Sequence, residues 1–184
     1  MSQTLSSLWG LVPVVWRHVK GRWCAFRYGV LGRHQIGKRL LVDGGLIIRG
    51  PGRVIIGDYV NCGNRVTLYT DHKDAVIRIG DHTFLNGPRF SCTKEISIGA
   101  HCILADCRIL DSDYHNIDPE RREEVPEPRA VHVQDNVWLT MNVFLMKGVT
   151  VGEGSTVTPN SVVTSDVEPR SLFGGNPALL IKKV

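Results

Sequence analysis

From Val133 onward hydrophobic and polar positions keep a six-residue beat, through VQDNVW, LTMNVF, LMKGVT, VGEGST, VTPNSV and a last unit opening on Val163. The first place of each unit is aliphatic (Val133, Leu139, Leu145, Val151, Val157, Val163), and the fifth is small or β-branched (Val137, Val143, Val149, Ser155, Ser161, Val167). With 42% of the chain hydrophobic, six aliphatic first places in succession arise by chance less than about once in a hundred trials. Neither a helical period of 3.6 nor strict alternation generates such a repeat. A short strand, a turn and another short strand do, and three units return the chain to the face it left. The pattern predicts an all-β solenoid of triangular coils, each of roughly eighteen residues, with first-place aliphatics stacked along the axis and small fifth places fitting the corners. Its short strands would pair in parallel with the coils above and below.

Earlier segments carry the same beat: IGDYVN and CGNRVT from Ile56, IGDHTF and LNGPRF from Ile79, IGAHCI and LADCRI from Ile98. Cys62 then holds a first place and Cys102 a fifth, both pointing inward, where a thiol acts as a small buried hydrophobe. The beat breaks at LDSDYHNIDPERREEVPEPRA, residues 110–130. If Leu110 is a first place, the register slips there by less than one unit before resuming at Val133, so a loop is extruded at one corner. Irregular loops of this length in compact folds are functional or disordered.

Residues 1–28 follow another rule. Leu5, Leu8, Trp9, Val12, Trp16, Val19, Trp23 and Phe26 recur at steps of three and four, with Arg17, Lys20, Arg22 and Arg27 outside the stripe. This is an amphipathic helix, which Pro13 is expected to kink or divide. LWGLVPVVW is about half the length needed to span a bilayer, so no transmembrane helix is expected. Val30 to Arg53, with its DGG and RGPGR turns, reads as a first irregular coil. The chain thus divides into 1–53 (amphipathic segment and irregular coil), 54–168 (β-helix with loop 111–130) and a tail, 169–184.

A chain of 184 residues encloses one core without disulfides or a metal. The net charge of +4 is uneven: residues 1–50 set eight Lys/Arg against Asp43 alone, the remainder fourteen against seventeen Asp/Glu. The basic surface is N-terminal, and no nucleic-acid partner is predicted. Five cysteines without CxxC or zinc-ligand spacing, and no expected secretion signal, fit a reducing cytoplasm.

The repeated aliphatic-G-x-x-small-x units, VWLT opening a coil, SVVTSDVEP and the closing GGNPALLIKK resemble the hexapeptide-repeat acyltransferases, in particular the sugar and polysaccharide O-acetyltransferases. The resemblance covers about residues 54–182. It implies a left-handed parallel β-helix, a hand that periodicity does not give and that ordinary β-crossovers oppose. It implies transfer of an acetyl group from acetyl-CoA to a sugar or saccharide intermediate, in polysaccharide or cell-surface glycan biosynthesis. It also implies a homotrimer with each site between two chains and the 111–130 loop reaching across.

Family members are similar in placing a catalytic histidine after an acidic stretch on such a loop, which here is His115 after Asp111, Ser112 and Asp113. An acceptor hydroxyl is a poor nucleophile until its proton is removed, and imidazole, with an unperturbed pKa of about 6.5, suits that task near neutrality. The leaving thiolate, with a thiol pKa of about 8.5, needs little help, and a backbone N–H can hold the oxyanion. Asp113 or Asp111 would fix the imidazole tautomer; either could equally cap backbone N–H groups at a corner.

The resemblance further implies acceptor contact by Asn86 and pantetheine contact along the C-terminal coils at Met141, Pro159 and Thr164, and Thr140, beside Met141, is a further expected cofactor contact. Thr158, Lys182 and Lys183 join on chemical grounds. Trp138 should face outward as an interface anchor or ligand wall. Family tails commonly read GNP, one residue, then arginine; Leu179 stands there, shifting a nucleotide phosphate contact to Lys182, Lys183 or another chain.

Alternatives stay open: N-acylation of an amino-sugar nucleotide, serine acetylation, zinc-dependent hydration of the carbonic anhydrase kind, or a non-enzymatic scaffold that fails to bind coenzyme A. No metal is expected, since His115 has no histidine at short spacing before His132, and His72, His82 and His101 read as surface residues. The N-terminal helix has two open roles. It docks on the β-helix or a neighbouring subunit, or it lies as a basic, tryptophan-bearing helix on the inner face of the membrane, suiting a lipid-linked acceptor.

Overall fold

The first-place aliphatics do converge on one axis. The computed structural model describes residues 2–184, with side chains from Pro13; Leu5, Leu8, Trp9 and Val12 lie outside the described side chains. Three sheets form the faces of a parallel β-helix, visited by the chain in the order A, B, C. Face A stacks Gln35–Ile36, Arg53–Ile56, Val76–Ile79, Glu95–Ile98, Val131–Val133 and Thr150–Val151. Face B stacks Leu41–Val42, Asn61–Cys62, Phe84–Asn86, Ile103–Ala105, Trp138–Leu139 and Thr156–Val157, followed by Ser171–Gly175 and Ala178–Lys183. Face C stacks Gly45–Arg49, Arg65–Thr70, Arg89–Cys92, Arg108–Leu110, Phe144–Leu145 and Val162–Val163. Pairing is parallel until the closing hairpin, where Ala178–Lys183 runs antiparallel to Ser171–Gly175.

Inward columns from the three faces make the core. Ile56, Ile79, Ile98, Val133 and Val151 come from A; Cys62, Leu85, Leu104, Leu139 and Val157 from B; Leu68, Phe90, Ile109, Leu145 and Val163 from C, each at most 3% exposed. The fifth places are buried at the corners, where the two serines satisfy their hydroxyls on Glu168 O (Ser155, 2.7 Å) and Thr158 O (Ser161, 2.7 Å). Cys62, Cys102 and Cys107 are buried thiols that burial pushes up to about 12, 11 and 12.

One register reading needs correction. Ile109, not Leu110, points inward, level with Phe90 and Leu145, and Leu110 is half-buried on the outside. The corner after Leu104 is a residue short, as is the one after Leu85, which already puts Phe90 rather than Ser91 inward, so the loop follows a strand that starts one place early.

The A–B corners repeat a left-handed residue at Tyr59, His82, His101 and Asn136, a conformation that costs a non-glycine residue about 1–2 kcal/mol. Corner aspartates offset this by bonding the coil before: Asp81 accepts from Asp58 N (2.7 Å) and Asp135 from Ala100 N (2.8 Å). The Tyr59, His82 and His101 rings stack with centroids 4.8 and 5.0 Å apart.

Helix α1, Ser2–Cys24, runs through Pro13 undivided and continues as a π-helical turn, Ala25–Val30. It docks by its small and charged side. Gly21 is buried so closely that a Cβ would stand 1.9 Å from Leu40 O. Arg17 pairs with Asp43 (3.2 Å) and bonds Asn61 Oδ1 (3.0 Å), and Lys20 Nζ donates to Asp43 O (2.6 Å). The described part of the apolar stripe therefore points away from the β-helix: Trp16 is 57% exposed, Val19 47%, Trp23 58% and Phe26 45%. Among the described residues no helix is long and apolar enough to cross a membrane.

Candidate active site

The loop leaves face C and is pinned at its neck, where Arg129 N donates to Asp111 O (2.9 Å) and Gly148 N to Arg129 O (3.0 Å). Asp111 is fully buried. Its carboxylate accepts from the backbone N–H groups of Thr93 (2.7 Å), Lys94 (2.6 Å) and Glu95 (2.9 Å), tying the loop's root to the C–A corner of the coil before. Buried Ser112 accepts from Tyr114 N (3.1 Å), and Tyr114 turns the chain at φ 62°. His115 N then donates to Asp113 O (2.7 Å). The Asp113 carboxylate pairs with Lys147 Nζ (2.5 Å), whose side chain is only 16% exposed. The Tyr114 phenol oxygen is buried without a partner at full hydrogen-bond geometry; burial first, and then Asp71, push its pKa up.

Farther along, Asn116 Oδ1 accepts from Asp118 N (3.0 Å), and Asp118 caps the short Pro119–Arg121 turn through Glu120 N (3.0 Å). Arg122 Nη1 closes back onto Asn116 O (2.9 Å). This fold of the loop sets the Arg122 carbonyl 3.3 Å from His115 Nδ1. A carbonyl only accepts, so in this contact Nδ1 carries the proton and the Nε2 lone pair of a neutral ring is free to take another. The ring's partner is thus a backbone oxygen; the Asp111 and Asp113 carboxylates are engaged by backbone N–H groups and Lys147 respectively.

The other expected residues fall on two edges bordering face C. Along the B–C edge stand Asn86, whose Oδ1 accepts from Asn64 N (3.2 Å), then Thr140 and Met141, then Thr158 and Pro159. Asn160 N donates to Met141 O (3.0 Å), joining the last two levels. Met141 is exposed, whereas the Thr140 hydroxyl is spent on Val157 O (2.6 Å) and that of Thr158 meets Ser161 Oγ (3.1 Å). The C–A edge carries the His115 loop, Lys147 and, below it, exposed Thr164. Trp138 lies outward on face B, 49% exposed, in one row with Phe84, Ile103 and Thr156. Lys182 sits on the closing hairpin opposite Leu172, Lys183 pairs with Glu168, and Leu179 is exposed. Within one chain Asn86 and His115 occupy different edges. Among the described residues no three His, Cys, Asp or Glu side chains gather to hold a metal ion.

Arg122, Tyr114 and Lys147 were not expected from sequence. Arg122 acts through its carbonyl, which residue identity does not report. Lys147 belongs to a later coil, and only the stacking brings it to Asp113.

No family model matches the chain. A hexapeptide-repeat-containing acetyltransferase of Vibrio cholerae O1 biovar eltor, VCA0836, solved with acetyl coenzyme A, is 30% identical; the match covers 82% of this chain and 70% of that one with a TM-score of 0.58. The chain belongs to the hexapeptide-repeat acetyltransferases. The polySia-specific acetyltransferase NeuO is 26% identical, over 82% of this chain and 81% of that one, with a TM-score of 0.62. WcaF of Escherichia coli (strain K12), assigned to colanic acid biosynthesis as an acetyltransferase, is 28% identical over 162 residues, 88% of this chain and 75% of WcaF. As an acetyltransferase of this family the chain is an acyl-transfer enzyme, and its loop histidine is exposed on a braced turn.

Proposed function

We propose that the protein transfers an acetyl group from acetyl-CoA to a saccharide hydroxyl, with His115 as general base, in the synthesis of a polysaccharide or cell-surface glycan. The observation that carries this is the His115 Nδ1 contact to the Arg122 carbonyl, which leaves Nε2 open. Nε2 takes the hydroxyl proton as the oxygen attacks the thioester carbonyl carbon. The Arg122 carbonyl holds the resulting imidazolium through Nδ1–H, and Nε2 returns its proton to the departing sulfur, so no net proton is gained or lost. Asp113 and Asp111 serve as positioning residues, through Lys147 and the loop's root. The VCA0836 and NeuO likenesses support the donor and the saccharide class respectively.

For the donor, exposed Met141 and Pro159 suit an apolar pantetheine arm, with backbone groups of the B–C edge as its polar contacts, and Thr164 and Lys182 are the open polar side chains. The Thr140 hydroxyl, already bonded, would serve through its backbone only. Because Asn86, Met141 and Pro159 stand on one edge and His115 on the other, a complete site needs two copies. The homotrimer supplies it by setting the loop of one copy against the B–C edge of the next.

The outward stripe of α1, flanked by Arg22 and Arg27, fits a bilayer surface of anionic lipid on the cytoplasmic side. Anionic vesicles should retain the full chain in a salt-sensitive way and release a chain lacking residues 1–28.

The activity is tested by following thiol release from acetyl-CoA across a panel of saccharide and amine acceptors. Saccharide-dependent release is expected. Release with amines alone, or with none of them despite coenzyme A binding, would overturn O-acetylation of a saccharide.

A further inference from the structure

Face C lies between the two edges, and its outer surface is unlike the others. Its outward positions include Arg49, Arg65, Arg89 and Arg108, all exposed. Arg89 and Arg108 are direct neighbours in the parallel register, flanked by Ser91 and Leu110 on the next outward row. Strands pair at about 4.8 Å, so two guanidinium groups rise side by side, an arrangement that like-charge repulsion disfavours unless an anion is shared between them. Among the described residues none of the four arginines is paired with a carboxylate; the ion pairs of the chain lie elsewhere. The acids that border these strands, Asp71, Asp106 and the buried Asp111, stand at the edges of the face rather than on it.

Arg89, Ser91, Arg108 and Leu110 line a shallow depression of about 270 Å³, near the lower limit of roughly 300–1,000 Å³ for small-molecule sites and suited to one sugar ring more than to a larger ligand. Its position is as informative as its charge. The Arg89–Cys92 strand begins just after the corner holding Asn86 and ends at the corner whose N–H groups Asp111 binds. Leu110 leads directly into the loop that carries His115.

We propose that the outer surface of face C is the acceptor platform and that Arg89 and Arg108 select a saccharide bearing a carboxylate. This rests on the acetyl-transfer reading above and names the acceptor class within it. A guanidinium pairs a carboxylate through two parallel N–H bonds. Two adjacent ones hold a uronate- or sialate-type residue by its charge, with Ser91 as a further hydroxyl partner and Leu110 as an apolar edge for the ring. The bound sugar then presents its hydroxyls toward the loop. A phosphorylated sugar offers related chemistry, but the planar fork of each arginine and the ring-sized depression favour the carboxylate.

The test is calorimetric binding of glucuronate- and sialate-bearing oligosaccharides and of their carboxyl-reduced counterparts to the full-length protein, with a sugar phosphate as a third arm. Carboxyl reduction should weaken binding at least tenfold for one of the pairs, the preference should shrink with added salt, and R89Q/R108Q should remove it while coenzyme A binding and assembly mass stay unchanged. Equal binding of the acidic and reduced forms, a preference retained in R89Q/R108Q, or tighter binding of the sugar phosphate would overturn the proposal. Failure of the underlying reading is separable: acid-selective binding without any acetyl transfer would leave the arginine site standing and remove the reaction.

Discussion

Replacement of Asp111 separates a structural carboxylate from a catalytic one. In the fold this side chain is fully buried and accepts three backbone N–H bonds of 2.6 to 2.9 Å from Thr93, Lys94 and Glu95. Asp111→Ala leaves three donors without an acceptor, and each orphaned buried donor costs about 1–3 kcal/mol. Lys94 is exposed and Thr93 and Glu95 are half-buried, so water reaches part of the corner and the lower end of the range applies to each. The expected loss is about 3–4 kcal/mol, a large share of the roughly 5–15 kcal/mol that holds a typical domain. Asp111→Asn keeps one acceptor oxygen but turns an N–H₂ toward the donors, for an intermediate loss of about 2 kcal/mol. Thermal unfolding at fixed protein concentration reads this directly. The alanine variant should melt roughly 7–14 °C below the parent, and His115→Ala, an exposed loop change, within about 0.5 kcal/mol of it. An unchanged midpoint for Asp111→Ala, joined to a turnover defect as deep as that of His115→Ala, would refute the reasoning and make Asp111 the partner of the imidazole.

Gly21→Ala drives a methyl into Leu40 O, since the added carbon would stand 1.9 Å away; hydrogen exchange should rise across residues 13–30 while the β-helix stays protected, and an unchanged pattern would show that the docking is not held there. Lys147→Met removes the Asp113 partner from a pair that is mostly buried; stability should fall by about 1–3 kcal/mol, whereas misplacement of the loop's first turn should lower kcat roughly tenfold at unchanged coenzyme A affinity, and an unaltered kcat would exclude a positioning role. Cys62, Cys102 and Cys107 have folded-state values raised by burial to about 12, 11 and 12 from an ordinary 9.0. Their protonated forms are favoured by folding, so this contribution is complete below pH 9 and declines as pH rises toward 11–12. Between pH 9 and 10 each thiol should cost on the order of 1 kcal/mol of stability, which replacement of the three by alanine or valine should remove in urea titrations at the two pH values, leaving the share of buried Cys92, whose thiol burial also pushes up.

The core was legible because a period of six constrains every unit alike. One inward aliphatic per unit was enough to place Ile56, Ile79, Ile98 and the six first places after them, and the inward thiols of Cys62 and Cys102 followed. The register slipped by one at Phe90 and again at Ile109, because the corners after Leu85 and Leu104 are each one residue short, a length that the beat itself does not announce. The α1 stripe was legible as a helix but not in its orientation. Gly21 against a carbonyl and Arg17 on Asp43 outweigh the apolar side in choosing what faces the β-helix. At the candidate site the sequence pointed to His115 and its two aspartates. It did not reveal that the imidazole leans on a main-chain carbonyl, because that contact depends on the path of the loop between Asn116 and Arg122 rather than on any side chain.

The central claim is that His115 takes the acceptor proton. Steady-state acetyl transfer to the best saccharide acceptor, with coenzyme A binding and assembly mass measured on the same His115→Ala preparation, tests it most directly. Turnover should fall about 100- to 10,000-fold, with coenzyme A affinity and mass unchanged. Near-normal turnover by that intact, coenzyme A-binding protein would contradict it.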